Sequence, residues 1–346
     1  MRNRLLLTVA LVMVLFGSLV TSHIVNTLFN PLPVEDTLTF QVEKGSSLYG
    51  VLLELKNEGL IKDVQIARLY ARFSELEQIR AGEFLLESGM SLADVIQRFN
   101  SNDVIHYRVT LIEGLRFQDY LAQIQQLPKV KSVINGWDNE QILAALGAKE
   151  THPEGLFAPE TYSYTAGQSD LEILTQAYKR QQSILQDAWS KRAEGIPLAS
   201  PYEVLILASM VEKETGAVEE RADIAGVFTR RLIKGMRLQS DPTTIYGLGE
   251  RYQGNLKLSH LREKNAYNTY KINGLPVTPI ANPGAAAIYA TTMPASGKSL
   301  YFVAKGDGSH YFSNTLIEHN EAVRKYQVYQ RSKSYQSNPD VDNNGG

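Results

Sequence analysis

Two glutamates, Glu212 and Glu214, close the stretch Val204-Leu205-Ile206-Leu207-Ala208-Ser209-Met210-Val211-Glu212-Lys213-Glu214-Thr215-Gly216. A carboxyl group can pass a proton to a bond that is breaking, and it does so best where its surroundings resist ionisation. The stretch reads as a helix with Gly216 as its C′ residue. At about 100° per residue, Val204, Leu205, Leu207, Ala208 and Val211 share one broad arc, the face a helix buries. Glu212 falls inside that arc, between Leu205 and Ala208. Glu214 falls at its edge near Glu203, and Lys213 points away. The pattern favours Glu212 as the carboxylic acid kept protonated near neutral pH by apolar neighbours. Two other roles stay open to it. Glu-Lys-Glu at a helix end is a common solvated face, and an inward Glu is often held by an Arg for structural reasons.

Four longer words stand in order around this helix. They are Ala208-Ser209-Met210-Val211-Glu212-Lys213-Glu214-Thr215, Gly235-Met236-Arg237-Leu238-Gln239-Ser240-Asp241-Pro242-Thr243-Thr244-Ile245-Tyr246-Gly247, Ala266-Tyr267-Asn268-Thr269-Tyr270, and Gly274-Leu275-Pro276-Val277-Thr278-Pro279-Ile280-Ala281-Asn282-Pro283-Gly284. Together they resemble the endolytic murein transglycosylases, the YceG-like family, and the resemblance runs from the N-terminal segment to about Tyr329. Met210 stands where that family usually has a branched aliphatic, a mild change that leaves the acid in place.

The resemblance implies a fold and a chemistry. The fold is α+β: an N-terminal transmembrane helix, a small LysM-like strand–helix module, and a larger lytic transglycosylase-like catalytic domain. Most glycosidases use two carboxylates. Lytic transglycosylases as a class use one, which protonates the bridging oxygen and then takes the proton of the sugar's own 6-hydroxyl as that oxygen attacks the anomeric carbon. No water is consumed, and the product ends in 1,6-anhydro-N-acetylmuramic acid. By motif position the single essential acid is Glu212, with Glu214 as its in-sequence rival. Gln239, Ser240, Asp241, Thr243 and Thr244 form a polar loop suited to a cleft wall, although Asp241-Pro242 is also a turn signal. Ala266-Tyr267-Asn268 resembles the Ala-Tyr-Asn motif of other lytic transglycosylases, so Tyr267 and Asn268 join Gln239, Asp241 and Thr243 as expected substrate-binding residues. Pro279 and Asn282-Pro283-Gly284 shape a rigid loop near the site.

The totals limit the alternatives. The chain has 346 residues, 43% of them hydrophobic, enough for more than one folded unit. Lys and Arg number 35 against 37 Asp and Glu, so no basic excess exists to neutralise a phosphate backbone, and nucleic acid is not an expected partner. With no cysteine, disulfides, thiolate metal sites and cysteine nucleophiles are all excluded. Six histidines are scattered without a close pair, so neither a metal nor any other cofactor is expected. Ser296-Gly297-Lys298-Ser299 mimics the end of a phosphate loop, but Thr292 stands where that motif needs its first glycine.

Arg2 and Arg4 precede an almost unbroken apolar run from Leu5 to Val20, with weaker apolar character to Phe29. About 20 residues span a bilayer. No small-x-small cleavage site follows, so the run reads as an uncleaved anchor rather than a signal peptide. The two arginines place the N-terminus in the cytoplasm and the rest of the chain outside a single-pass inner-membrane helix. Residues 1–29 are thus the anchor, 30–105 the LysM-like module, 106–331 the catalytic domain and 332–346 a polar, disordered tail.

Within the module a Gly turn opens a short helix at Gly45-Ser46-Ser47-Leu48 and at Gly89-Met90-Ser91-Leu92, and again beyond it at Gly114-Leu115-Arg116-Phe117. This is a repeated strand–turn–helix unit, either glycan-binding or an adaptor that sets the catalytic domain's height. Helices are expected from Leu171 to Trp189, Glu219 to Lys234 and Leu316 to Tyr329, with a hairpin around Gly306-Asp307-Gly308. Arg230 and Arg231 could pair with acids in the site, with a solvated face as their default. The sequence therefore points to an enzyme that cuts glycan strands of peptidoglycan internally and ends their growth near the membrane, with peptidoglycan synthases as candidate partners. The competing class is a catalytically silent glycan-binding scaffold of wall synthesis, and a third is a water-using hydrolase.

Overall fold

The computed structural model describes residues 2–329; the tail read as disordered lies outside the described residues. The chain folds as two compact units. The first is the chain up to Arg108 with Pro128–Lys131 and Ser163–Ser169; the second is Val109–Leu127, Ser132–Tyr162 and the chain from Asp170 on.

The first unit begins with helix α1 (Arg2–Phe29), which is long and apolar enough to cross a membrane. Strand β1 (Leu38–Val42), helices α2 (Leu48–Asn57) and α3 (Val64–Phe73), strand β2 (Gly82–Leu86) and helix α4 (Leu92–Asn100) follow. β1 and β2 pair antiparallel with Phe40 opposite Phe84, and Phe99 of α4 meets both rings, at 5.6 and 5.0 Å between centroids. Leu28 at the end of α1 is buried in the same core. The repeated turn has a local cause. Gly45 and Gly89 adopt positive φ, and Ser47 and Ser91 then cap the helices they open. β3 (His106–Thr110) and α5 (Phe117–Gln125) repeat the pattern through Gly114 (φ +75°), and the division between the two units falls within β3.

Next come α6 (Asn139–Leu146), β4 (Thr161–Thr165), which pairs with β3, and the long α7 (Asp170–Ser190). The second unit is organised around α8 (Pro201–Glu214), followed by α9 (Arg221–Ile233), α10 (Asp241–Leu248), α11 (Leu258–Arg262), α12 (Ala285–Thr292), the hairpin of β5 (Tyr301–Ala304) and β6 (His310–Ser313), and α13 (Leu316–Val323). α8 packs against α7, α9, α10 and α12. Ser200 caps it and Pro201 opens its first turn. Every residue from Val204 to Val211 is buried, Ile206, Ser209 and Met210 included. The expected one-sided arc is therefore a helix surrounded on all sides.

Three expectations shift. Gly216 does not adopt positive φ, because α8 ends at Thr215 in an extended conformation. α9 starts at Arg221 after a short 3₁₀ turn, Val218–Glu220. The final helix is regular only to Val323, and a wider π-type turn runs from Arg324 to Tyr329.

Candidate active site

The last turn of α8 points its two carboxylates into different surroundings. Glu212 is enclosed. Arg221, from the start of α9, places Nη2 at 2.9 Å from Glu212 Oε1 and at 3.1 Å from Glu113 Oε2. The Gly284 amide donates to Glu212 Oε2 at 2.9 Å. Both side chains of the Arg221–Glu212 pair are 5% exposed. Burial raises the Glu212 pKa, and the Arg221 charge opposes that rise. Gly284 fits closely here: a Cβ on it would overlap Glu113 Oε1. The cluster ties Glu113, α8, α9 and the start of α12 together with charge-assisted bonds.

Glu214 opens instead onto a groove of about 850 Å³, whose lining includes Arg116, Lys213, Glu214, Arg231, Gln239, Asp241, Tyr246 and Tyr270. Glu212 is not among the residues that line it. The Ser240 hydroxyl donates to Glu214 Oε1 at 2.5 Å. Loss of hydration at the groove floor pushes the Glu214 carboxyl up to about 7; the Ser240 bond holds it down, the Asp241 charge adds to the rise, and Arg231 opposes it. Near neutral pH this group is divided between acid and conjugate base, the condition for giving and then taking a proton.

The polar loop before α10 is built to hold Ser240 still. Thr269 Oγ1 accepts from the Ser240 amide at 2.9 Å, and Thr243 Oγ1 donates to the Ser240 carbonyl at 2.7 Å. Gln239 sits at φ +54°, a left-handed conformation that costs a side-chain-bearing residue about 1–2 kcal/mol. Its amide donates to the Thr269 carbonyl at 3.2 Å. Tyr270 donates to Asp241 Oδ1 at 2.7 Å, which fixes that carboxylate at the rim.

The sequence-predicted residues are only partly brought together. Gln239 and Asp241 line the groove. Thr243 and Asn268 are fully buried and do not. Thr243 clamps Ser240. Asn268 Nδ2 donates to the carbonyls of His260, Leu261 and Glu263, and its Oδ1 accepts from Thr244 and from the Tyr270 amide. Both are placed as braces, because their polar atoms are committed to the protein's own groups. Tyr267 shares a hydroxyl bond with Thr278 at 3.0 Å and meets the ring of Tyr246 at 4.9 Å between centroids, and it is not among the residues that line the groove. Arg231, read as solvated, is buried, and donates to the carbonyls of Leu300 at 2.6 Å and Leu238 at 2.8 Å. Arg230, read the same way, is partly buried and donates to the carbonyls of Ser299 at 2.7 Å and Ala295 at 2.9 Å.

One residue carried no local signal. Glu154 is buried beside Gly155, accepts from the Phe117 amide at 2.8 Å and from Tyr246 at 3.0 Å, and burial pushes it up to about 7. Its partners lie 37 and 92 residues away, so no spacing rule could have marked it. Among the described residues no group of three or more His, Asp and Glu converges as a metal site.

Residues 40–325 match the YceG-like family. An endolytic murein transglycosylase from Bacillus subtilis (strain 168) is 31% identical over 308 residues, which is 84% of this chain and 85% of that protein. An endolytic murein transglycosylase from Streptococcus pneumoniae serotype 2 is 25% identical, over 84% of this chain and 58% of its own length. The crystal structure of a yceG-like protein from Listeria monocytogenes has a TM-score of 0.54 at 28% identity, covering 83% of this chain and 99% of that one.

Proposed function

Since the chain belongs to the YceG-like family, we propose that it is an endolytic murein transglycosylase whose proton donor is Glu214 rather than Glu212. One observation carries the assignment: of the two candidate acids, Glu214 alone opens onto the groove, with its carboxyl raised to about 7. Glu212 has both oxygens engaged and a guanidinium beside it. The guanidinium favours the ionised form of Glu212 and opposes the rise that burial causes.

Protonated Glu214 gives its proton to the oxygen bridging N-acetylmuramic acid and N-acetylglucosamine as the anomeric C–O bond breaks. The 6-hydroxyl oxygen of the same muramic residue bonds to the anomeric carbon, and its proton passes to the Glu214 carboxylate. The acid is regenerated and the strand ends in 1,6-anhydro-N-acetylmuramic acid. Ser240 stabilises the carboxylate in mid-cycle through its hydroxyl. Asp241, on the groove and anchored by Tyr270, faces the positive charge that develops on the sugar.

In this reading α1 is a single-pass anchor of the inner membrane. Arg2 and Arg4 stay cytoplasmic and the two units act outside. A tethered enzyme works only on strands within reach, which raises its effective concentration on newly made ones and suits strand termination beside the synthases. The strand–helix repeats of the first unit serve as a LysM-like module that engages or spaces the glycan.

The test is digestion of purified peptidoglycan by the full chain in detergent, with mass spectrometry of the products. Wild type and Glu212→Gln yield anhydro ends, and Glu214→Gln yields none. Reducing ends would make the protein a hydrolase. Activity lost in Glu212→Gln but kept in Glu214→Gln would return the role to Glu212, and full activity in both variants would favour a scaffold.

A further inference from the structure

The chain as a whole carries a formal charge of −2, yet its groove has the opposite balance. Arg116, Lys213 and Arg231 line it against Asp241 and a Glu214 that is half-protonated near neutrality. Arg231 is taken up by backbone carbonyls. The other two cations are each held by a specific contact. The Arg116 guanidinium lies over the Tyr246 ring, 5.0 Å from its centroid, and Tyr246 is itself held by Glu154. Lys213 lies along the wall with Nζ donating to the Gly114 carbonyl at 3.1 Å. Gly114, at φ +75°, lies beside both Lys213 and Glu212: a Cβ on it would stand 3.7 Å from Lys213 Cδ and from Glu212 Cγ.

The two cations also sense one another. Partial desolvation holds the Lys213 ammonium below its ordinary range, and the nearby Arg116 charge adds to this. The acids that reach Lys213 are Glu212, which is paired with Arg221, and Asp119, whose carboxylate accepts from the Arg116 amide at 2.9 Å. A carboxylate lying between them would make charge-assisted bonds with both cations.

We infer that Arg116 and Lys213 form a carboxylate subsite beside the cleaved bond, so that the enzyme selects glycan for the acidic substituent carried on muramic acid. This rests on the transglycosylase reading above. Two carriers share that chemistry: the carboxylates of an attached peptide, and the lactyl carboxylate exposed when the peptide is removed. The groove then reads the charge of a strand as well as its sugars.

The experiment uses the full chain with three substrates: intact uncrosslinked strands, strands stripped of peptide by an amidase, and strands whose carboxyls have been converted to neutral amides with carbodiimide and ammonia. Wild type should show a KM about ten-fold higher on the neutral strands with little change in kcat, the loss of one charge-assisted contact. Lys213→Gln and Arg116→Gln should raise KM by a similar factor on carboxylate-bearing strands and by a clearly smaller factor on the neutral strands, while Lys213→Arg retains discrimination. Preference for intact over stripped strands assigns the site to peptide carboxylates, and equal use assigns it to the lactyl group. Equal KM on all three substrates for wild type overturns the inference, as does a variant defect of the same size on every substrate. If wild type makes no anhydro ends from any strand, the transglycosylase reading fails and this inference falls with it, a result distinct from uniform cleavage.

Discussion

Glu212 and Glu214 share a helix turn, an amino-acid type and loss of hydration, and differ in what closes around them. At Glu212 a guanidinium at 2.9 Å and a backbone amide at 2.9 Å consume both oxygens. At Glu214 the Ser240 hydroxyl donates to Oε1, and the residue lines the groove. Burial raises both pKa values. What chiefly opposes the rise at Glu212 is a full positive charge, and at Glu214 a hydroxyl bond. Burial alone does not mark a catalytic acid; burial with a hydroxyl partner and an opening does. The first region is built as a brace, and in the proposed reading the second is the reactive site.

The strongest way to break this contrast is removal of each carboxyl in turn. Glu214→Gln should lower kcat by about 10³-fold, within the range general acid catalysis contributes, with thermal unfolding unchanged or shifted upward. Glu212→Gln should keep kcat per folded molecule within a few-fold while lowering Tm, because Arg221 then lacks its main counter-charge. Turnover by mass spectrometry and melting by circular dichroism check the pair. The reverse pattern would exchange the two roles.

Arg221→Met tests the brace from its other side. It leaves Glu212 buried without its cation, a change worth about 3–5 kcal/mol, read as a lowered denaturant midpoint with unchanged m-value. Adding Glu212→Gln to Arg221→Met should recover part of that loss, since the stranded charge is gone. A double variant no better than the single one would show that Arg221 acts through its contact with Glu113 instead.

The pH response distinguishes the two sites next. An unfolded glutamate titrates near 4.5, whereas folded Glu214 titrates near 7, so between these values the folded state keeps a proton that the unfolded chain has lost. Stability therefore falls as pH rises through that window, by at most about 1.4 kcal/mol per pH unit for each such group. Glu154, also raised to about 7, contributes with the same sign. Glu214→Gln should remove its own share and flatten the Tm-against-pH curve above pH 5. On the rate side, kcat/KM for wild type should fall as pH rises past about 7, as the proton to be donated is lost. A rate that climbs through that range would contradict Glu214 as the acid.

The pattern of this region was legible in parts, for reasons that are local in each case. α8 announced itself by Ser200-Pro201 and its apolar run, and the repeated turns by a glycine three to five residues before the apolar face of a helix. The different surroundings of the two acids were not legible, because a wheel drawn on one helix assumes that one face is solvated, and α8 is surrounded. Ser240 meets Glu214 from 26 residues away, and Arg231 reaches carbonyls 7 and 69 residues away. Such partners are set by packing, and no short spacing encodes them. Polar type and motif alone did not show burial: Thr243, expected from its polar loop, and Asn268, expected from the Ala-Tyr-Asn resemblance, are both fully buried with their polar atoms bonded to the protein's own groups.

A finer probe of the brace is Gly284→Ala. The new methyl would overlap Glu113 Oε1, but Glu113 is a half-exposed, flexible carboxylate that can swing away from Arg221. The expected cost is therefore about 1 kcal/mol, at the low end of the range of about 1–3 typical of overpacking against rigid neighbours, with turnover retained.

The smallest effect sharpens the reactive side. Gln239 holds φ +54° on the groove wall next to Ser240, a conformation that glycine adopts without penalty. Gln239→Gly relieves that strain but also gives the unfolded chain more freedom, so the net stabilisation should be under about 1 kcal/mol. If the strain served folding alone, the variant would be more stable and equally active. Because Gln239 lines the groove and the next residue orients Glu214, the expected result is a slightly raised Tm with KM increased a few-fold and kcat little changed. A gain in stability with unaltered KM would make Gln239 a turn residue only, and would narrow the reactive region to Glu214, Ser240 and Asp241.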